Sequence, residues 1–140
     1  MYDKYAPIIP FVGMGGIYLN ETKSEVERRA GRKLVRQEPE PDDAWERYTF
    51  DGAMTLFFSS ADDRLVLLET QPGYRGRLAS GIGTDTDEDQ ITVLDPTMIY
   101  DDFEEFYNSV EHGVQIETNI PEHKAVWISV FVPEINEIKL

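Results

Sequence analysis

Residues 16–31, GIYLNETKSEVERRAG, and residues 81–96, GIGTDTDEDQITVLDP, begin with the same Gly-Ile pair and align at an offset of 65. Residues 54–70, MTLFFSSADDRLVLLET, and residues 114–130, VQIETNIPEHKAVWISV, keep the same hydrophobic phase at an offset of 60. Self-similarity at a nearly fixed offset is typical of duplicated structural units. We therefore predict two internal repeats, at about residues 13–72 and 78–132, with chance similarity between two strand-rich halves as the alternative.

Each half is predicted to begin with a short helix. Thr22 and Glu25 have the spacing of a capping box, and Gly31 lies where the left-handed residue after a helix belongs. In the second half the related N-cap spacing begins at Thr86, and Pro96 ends the helix.

Three predicted strands follow each helix, joined by polar turns. The first set is WERYTF, MTLFFSS and RLVLLETQ, and the second is EFYNSV, VQIETN and KAVWISVFV. Strands in such close succession favour an antiparallel meander. The predicted class is α+β, with a single domain over residues 1–140 and the helices on one face of a continuous antiparallel sheet.

One segment of the second half has two interpretations. Ile99, Phe103, Phe106 and Val110 have helical spacing, which by itself favours an amphipathic helix. The duplication, however, aligns residues 106–110 with residues 46–50, a predicted strand of the first half. We therefore predict an acidic loop over residues 95–104 and a strand from Phe106 onward.

The charge of the chain is strongly asymmetric. The net charge is −14, of which residues 1–80 carry −2 and residues 81–140 carry −12, and no Lys or Arg lies between Arg77 and Lys124. A one-sided acidic field indicates a basic protein partner and argues against nucleic acid or an anionic membrane as partners. The absence of Cys excludes disulfides and thiolate zinc sites and suits the cytoplasm, where we expect the protein to act.

The sequence contains no recognisable catalytic motif. His112 and His123 are the only histidines, and both fall in predicted turns, where a histidine is usually exposed rather than catalytic. Paired carboxylates drawn from Asp101, Asp102, Glu104 and Glu105 could serve a small hydrolase, which is the third of our functional hypotheses. We predict that the protein is not an enzyme and has no catalytic residues.

Metal and cofactor sites are not predicted either. Asp85, Asp87 and Asp89 resemble the start of a calcium loop, but Gln90 and Pro96 stand where that loop requires glycine and glutamate. The acidic residues are therefore better explained as part of a protein-binding surface.

Residues 100–107, YDDFEEFY, alternate aromatic side chains with carboxylates, a composition suited to an interface with a basic protein. The alternative is that these aromatics belong to the core and that the acids at the second helix start only favour the helix dipole. The predicted partner-binding residues are Asp85, Asp87, Glu88, Asp89, Tyr100, Asp101, Asp102, Glu104 and Glu105.

A tandem of helix-plus-sheet units opened by Gly-Ile, covering residues 13–132, resembles the architecture of β-lactamase-inhibitor proteins and of bacterial immunity proteins of contact-dependent growth inhibition. The lack of cysteine and the acidity are closer to the immunity proteins. The resemblance implies an immunity protein that neutralises a bacterial toxin domain, a basic nuclease. The alternative is a structural or assembly module built on the same repeat.

Overall fold

A computed structural model of the chain describes residues 2–37 and 45–135. The prediction of one domain over residues 1–140 extends to residues 1, 38–44 and 136–140, which lie outside the described part. The described residues form an α+β fold, as predicted, with two helices and ten strands. In chain order these are β1 (Gly13–Met14), β2 (Ile17–Tyr18), α1 (Lys23–Ala30), β3 (Val35–Arg36), β4 (Trp45–Phe50), β5 (Met54–Ser59), β6 (Arg64–Thr70), α2 (Glu88–Leu94), β7 (Ile99–Asp101), β8 (Phe106–Ser109), β9 (Val114–Thr118) and β10 (Ala125–Phe131).

Eight of the strands form one sheet in the order β3-β4-β5-β6-β10-β9-β8-β7. Every neighbouring pair is antiparallel, which confirms the predicted continuous antiparallel sheet. The two halves of the chain meet at the centre, where Leu68 lies opposite Val130 and Glu69 lies opposite Ser129. The last strand of each half is therefore an inner strand, and β3 and β7 form the outer edges.

Both helices cover the same face of this sheet. The Lys23 ammonium group of α1 lies 5.1 Å from the centre of the Tyr48 ring, and the Tyr107 hydroxyl donates a 2.8 Å hydrogen bond to Glu88 of α2. The cross-strand register places these two tyrosines on one face. Each helix buries an apolar side chain completely, Val26 from α1 and Ile91 from α2. No helix among the described residues has the length and hydropathy needed to cross a bilayer.

The two helices begin differently. For α1 the prediction is confirmed: Thr22 and Glu25 form a reciprocal capping box, and Gly31 has a φ of 74° after the last turn. For α2 the predicted start is wrong by one residue, because Asp87 is the N-cap and makes no side-chain capping bond. The Thr86 hydroxyl instead accepts a 2.9 Å hydrogen bond from the Gly83 N–H, which fixes the loop before the helix.

The prediction for residues 95–104 was partly wrong. Residues from Phe106 onward form the strand β8, as the alignment of the halves predicted, and the helical alternative is excluded. The preceding segment is not simply a loop, because Ile99–Asp101 pairs with β8 as the edge strand β7. Edge pairing of only three residues leaves no period-2 pattern long enough to detect in the sequence.

The N-terminal segment packs against the connector between the two halves, residues 71–87. The Ile8 N–H donates a 2.9 Å hydrogen bond to the Arg77 carbonyl, and the Tyr74 hydroxyl donates to the Ala6 carbonyl. The Ile8 side chain is fully buried. These contacts bring the following residues, 10 and 11, beside the second half of the sheet.

Candidate functional site

A sharply defined turn joins β7 to β8 and presents an aromatic residue to solvent. The Asp101 Oδ1 atom accepts hydrogen bonds from the Phe103 N–H at 2.9 Å and the Glu104 N–H at 3.0 Å. The Asp101 carbonyl accepts a further bond from the Glu105 N–H at 2.7 Å. Phe103 at the tip is 90% exposed. Asp101 thus organises the turn, and the turn holds a large apolar side chain away from the core.

Other apolar side chains accompany Phe103 along this edge of the sheet. Ile99 is 72% exposed and Val110 is 82% exposed, and both line a shallow depression of about 640 Å³ with Asp102. Asp102, Glu104 and Glu105 form no ion pair with any residue in 2–37 or 45–135. We call residues 99–110 the acidic hairpin; it combines uncompensated carboxylates with exposed apolar surface.

The acidic residues at the start of α2 are largely compensated within the chain. Asp85 forms an ion pair of 2.7 Å with Arg77, and Asp87 forms one of 2.6 Å with Lys124. Glu88 accepts from the Tyr107 hydroxyl, and its other carboxylate oxygen lies 3.1 Å from His123 Nδ1. Together with Asp89, residues of this group border a groove of about 460 Å³.

Tyr107 connects this groove to the acidic hairpin. Its ring packs against that of Tyr100 with 4.9 Å between centroids, while its hydroxyl binds Glu88. Burial and this hydrogen bond raise the pKa of Tyr107 to about 12, so the phenol stays protonated as a donor. The structure therefore brings the two predicted acidic segments into contact, with Tyr100 half-exposed between them.

A third concave feature, an apolar cleft of about 710 Å³, adjoins the acidic hairpin and shares Thr97 and Glu111 with the depression beside it. Four segments form its walls: residues 10–11, residues 78–80, residues 94–97 at the end of α2, and the turn between β8 and β9 with Val114. The Phe11 ring rests on Gly113, where an added Cβ atom would approach Phe11 Cζ to 2.4 Å. Gly113 also has a φ of 68°, so both the turn and the close ring contact require glycine there.

The rim of this apolar cleft carries a network of buried polar groups. Asp95 is 6% exposed, and its Oδ2 atom lies 2.8 Å from His112 Nδ1. Its Oδ1 atom accepts from the Thr97 hydroxyl at 2.6 Å and from the Thr97 N–H at 3.0 Å. The Thr97 oxygen is also 2.7 Å from the buried Ser109 hydroxyl. His112 itself is half-exposed and faces the cleft.

The network shifts the ionisation of both partners. The hydrogen bond from His112 to Asp95 raises the pKa of the imidazole. Burial raises the pKa of Asp95, but hydrogen bonds from Thr97 and His112 outweigh it, so the net pKa is lowered. A carboxylate that stays ionised and orients an imidazole is the arrangement that catalytic and binding sites use to fix a histidine tautomer.

Sequence reasoning did not identify this group. His112 does lie in a turn and is half-exposed, as predicted, but its pairing with a buried carboxylate was missed. Asp95 and His112 are 17 residues apart and meet only because β7, β8 and β9 fold back on one another. No short sequence motif predicts such a pair. Among the described residues, no group of three or more His, Cys, Asp or Glu side chains is placed to hold a metal ion.

No protein-family model and no curated protein matches this chain. A solved structure with a similar fold is that of a cysteine-rich secretory protein from Staphylococcus aureus subsp. aureus Mu50, with a TM-score of 0.50 and 12% sequence identity. The similarity covers 91% of this chain and 48% of the staphylococcal chain, so this chain spans about half the length of that structure. At this identity the similarity concerns the fold alone.

Proposed function

We propose that this chain is a non-catalytic, cytoplasmic binding protein that neutralises a basic toxin domain, a nuclease, in the manner of an immunity protein. The observation that carries the proposal is the acidic hairpin, in which uncompensated carboxylates surround an aromatic residue that is 90% exposed. An exposed apolar side chain of this size costs solubility in a free protein, and its retention on a well-ordered turn is typical of an interface anchor.

The distribution of charge supports a basic partner. Asp102, Glu104 and Glu105 form no ion pair with a Lys or Arg among residues 2–37 and 45–135, so their field extends into solvent. Complementary charge of this kind raises association rates by about 10- to 1000-fold. An inhibitor that must reach a toxin before it acts gains directly from fast association. The acids near α2, held by Arg77 and Lys124, extend the same surface but contribute less free charge.

We also propose that the fold arose by duplication, as the sequence offsets suggest. Two pairs of backbone contacts support this. Thr22 forms an isolated bridge with Arg64, and Asp87 forms one with Lys124, which are related by the same offsets of 65 and 60. Both bridges tie the start of a helix to the start of the last strand of its own half. Duplication leaves one half free to keep the scaffold while the other acquires a binding surface.

Affinity capture from the native host tests the function, with bound proteins identified by mass spectrometry. The baits are the natural protein, a Phe103→Ala variant, and a matched Tyr5→Ala variant that removes an exposed aromatic residue of the first half (Tyr5 is 68% exposed). We expect the natural protein and the Tyr5 variant to retain a basic, toxin-like protein that high salt releases. The Phe103 variant should bind it at least about 30-fold more weakly. Equal capture by the natural protein and the Phe103→Ala variant would contradict the assignment of the binding site to the acidic hairpin.

The second candidate function is that of a structural or assembly module. It is compatible with the fold, since a similar fold makes up about half of a larger chain in the staphylococcal structure. In that case the captured partner is a stoichiometric component of an assembly, with no toxic activity when expressed alone. Expression of the captured partner in cells with and without this protein separates the two functions.

A further inference from the structure

We propose that the apolar cleft is a binding site for a small ligand with an apolar body and a cationic or hydrogen-bond-donating head group. His112 and Glu111 would bind the head group. This site adjoins the acidic hairpin, but the proposal does not depend on the function proposed for the hairpin. The direction of the hydrogen bonds, the charge at the rim and the composition of the walls all favour such a ligand.

The hydrogen-bond network fixes which imidazole nitrogen faces the ligand. The Thr97 hydroxyl donates to Asp95 Oδ1, so the Thr97 oxygen accepts from the Ser109 hydroxyl. The Ser109 oxygen in turn accepts from the backbone N–H of His112 at 3.2 Å. Since an ionised carboxylate only accepts, Nδ1 of His112 carries the proton donated to Asp95 Oδ2. The neutral imidazole therefore presents Nε2 as an acceptor.

The charge at the rim selects the head group. Glu111 Oε2 lies 3.7 Å from His112 Nε2 and is mostly exposed, and Asp95 lies behind the ring. Two carboxylates flank a single imidazole, so the rim is negative when the ring is neutral. A ligand ammonium group gains from both acceptors, whereas a ligand carboxylate meets repulsion. Ser80 also lines the cleft, and its hydroxyl oxygen is buried without a hydrogen-bond partner among residues 2–37 and 45–135.

The walls select an apolar body. Phe11, Leu78, Leu94 and Val114 line the cleft, and its volume of about 710 Å³ lies within the range of small-molecule sites, about 300–1000 Å³. Leu94 is 39% exposed and Phe11 is 40% exposed, so a ligand would cover apolar surface that now faces water. A mostly apolar concavity with a few convergent polar groups of shifted pKa is the usual form of a ligand site.

Three matched probes test the head-group preference at a pH above the His112 titration found by NMR, so that the imidazole is neutral while an aliphatic amine stays charged. They are 2-phenylethylammonium, 2-phenylethanol and phenylacetate. Methylammonium, which lacks the apolar body, measures nonspecific attraction to this acidic protein. Amide chemical shifts locate each probe, and we expect the changes to centre on Gly113, Val114 and residues 78–80. The ammonium probe should bind at least about fivefold more tightly than phenylacetate.

Two histidine variants make the test specific. In His112→Asn the side-chain amide can still donate to Asp95, which maintains the fold, but the acceptor at the Nε2 position is gone. The preference for the ammonium over the alcohol should therefore decrease, with Glu111 as the remaining acceptor at the rim. The matched control, His123→Asn, alters the other histidine, beside the groove at α2, and should leave the preference unchanged.

Equal binding of phenylacetate and the ammonium probe, shift changes outside the cleft, or an unaltered preference in His112→Asn would each overturn the proposal. None of these outcomes bears on the capture experiment at Phe103, so the two proposals fail independently.

Discussion

The two halves of the sheet differ at the turns that follow β4 in the first half and β8 in the second. In the first half Arg32 stacks on the rings of Tyr2 and Phe50, at 5.8 and 5.0 Å, and forms a 3.2 Å ion pair with Asp51. That turn is closed by the chain's own side chains. In the second half the turn after β8 borders an open apolar cleft, with His112 at its rim.

Single positions show how this difference arises. At the sequence offsets of the two halves, Ala30 corresponds to Asp95 and Gly52 corresponds to His112. The small residues of the first half leave no polar group to satisfy, whereas the second half places a buried carboxylate and its hydrogen-bond partners at the same points. The fold accommodates either set of residues because most of the buried apolar side chains belong to the sheet and the helices, not to these turns. Charge and concave surface are therefore concentrated in the second half.

The largest expected effect tests whether the halves share one core. Ile17 and Ile82, related by the offset of 65, are both fully buried. Replacing either with Ala removes buried methyl groups and leaves a cavity, so each variant should lose about 2–5 kcal/mol in the free energy of unfolding. Urea denaturation followed by circular dichroism measures this. A single transition shifted equally by both variants supports one cooperative unit, whereas a second transition in either variant would show that the halves unfold separately.

The next effect concerns Glu69, which lies where β6 of the first half pairs with β10 of the second. Burial, together with repulsion from Glu117, raises the pKa of Glu69 to about 7. Because the folded state binds this proton more tightly than the unfolded state, the contribution of Glu69 is most favourable below pH 4.5 and is lost as the pH rises towards 7. Glu69→Gln should therefore stabilise the protein by up to about 3 kcal/mol at pH 8 and by much less at pH 4. An equal effect at both pH values would contradict this explanation.

A smaller effect distinguishes the two helix starts. The Thr22 side chain accepts from the Glu25 N–H within a capping box, but the Asp87 side chain makes no capping bond. Thr22→Ala should cost about 1 kcal/mol, and Asp87→Ala about half of that or less, mainly through the lost ion pair with Lys124. Thermal denaturation of both variants measures the difference. A larger loss from Asp87→Ala than from Thr22→Ala would mean that the second helix start depends on its N-cap after all.

The smallest effect is a shift in titration rather than a change in fold. Because the contact with Asp95 raises the pKa of His112, NMR titration should find it above 6.5, and Asp95→Asn should lower it. The stabilisation from the charged imidazole is complete below the unfolded pKa and is lost as the pH rises through the folded one. For Asp95 the sign is opposite, since its lowered pKa gives stability that is lost as the pH falls through the folded value. An unchanged His112 titration in Asp95→Asn would contradict the contact.

Much of this fold could be predicted from the sequence because its signals are local. The predicted strands at residues 45–50, 54–60 and 64–71 and the capping box at Thr22 all depend on neighbours within a few residues. The alignment of the two halves also predicted correctly that residues 106–109 form a strand, although their hydrophobic spacing is helical. These features need no knowledge of tertiary contacts.

The features that sequence missed depend on contacts across the fold. β7 is three residues long and exists because β8 lies beside it. The pairing of Asp87 with Lys124 and the pairing of Asp95 with His112 each join distant segments. For the same reason the sequence showed a dense acidic region but could not separate the compensated acids near α2 from the uncompensated ones on the acidic hairpin.

The measurement that tests the central claim most directly is the salt dependence of binding to the captured partner. It compares the natural protein with two variants that each neutralise two exposed turn carboxylates, Asp102→Asn/Glu104→Gln in the second half and Asp62→Asn/Asp63→Asn in the first. We predict that the second-half variant binds about tenfold more weakly with a shallower salt dependence, while the first-half variant matches the natural protein. Equal losses in the two variants would contradict the assignment of binding to the acidic hairpin.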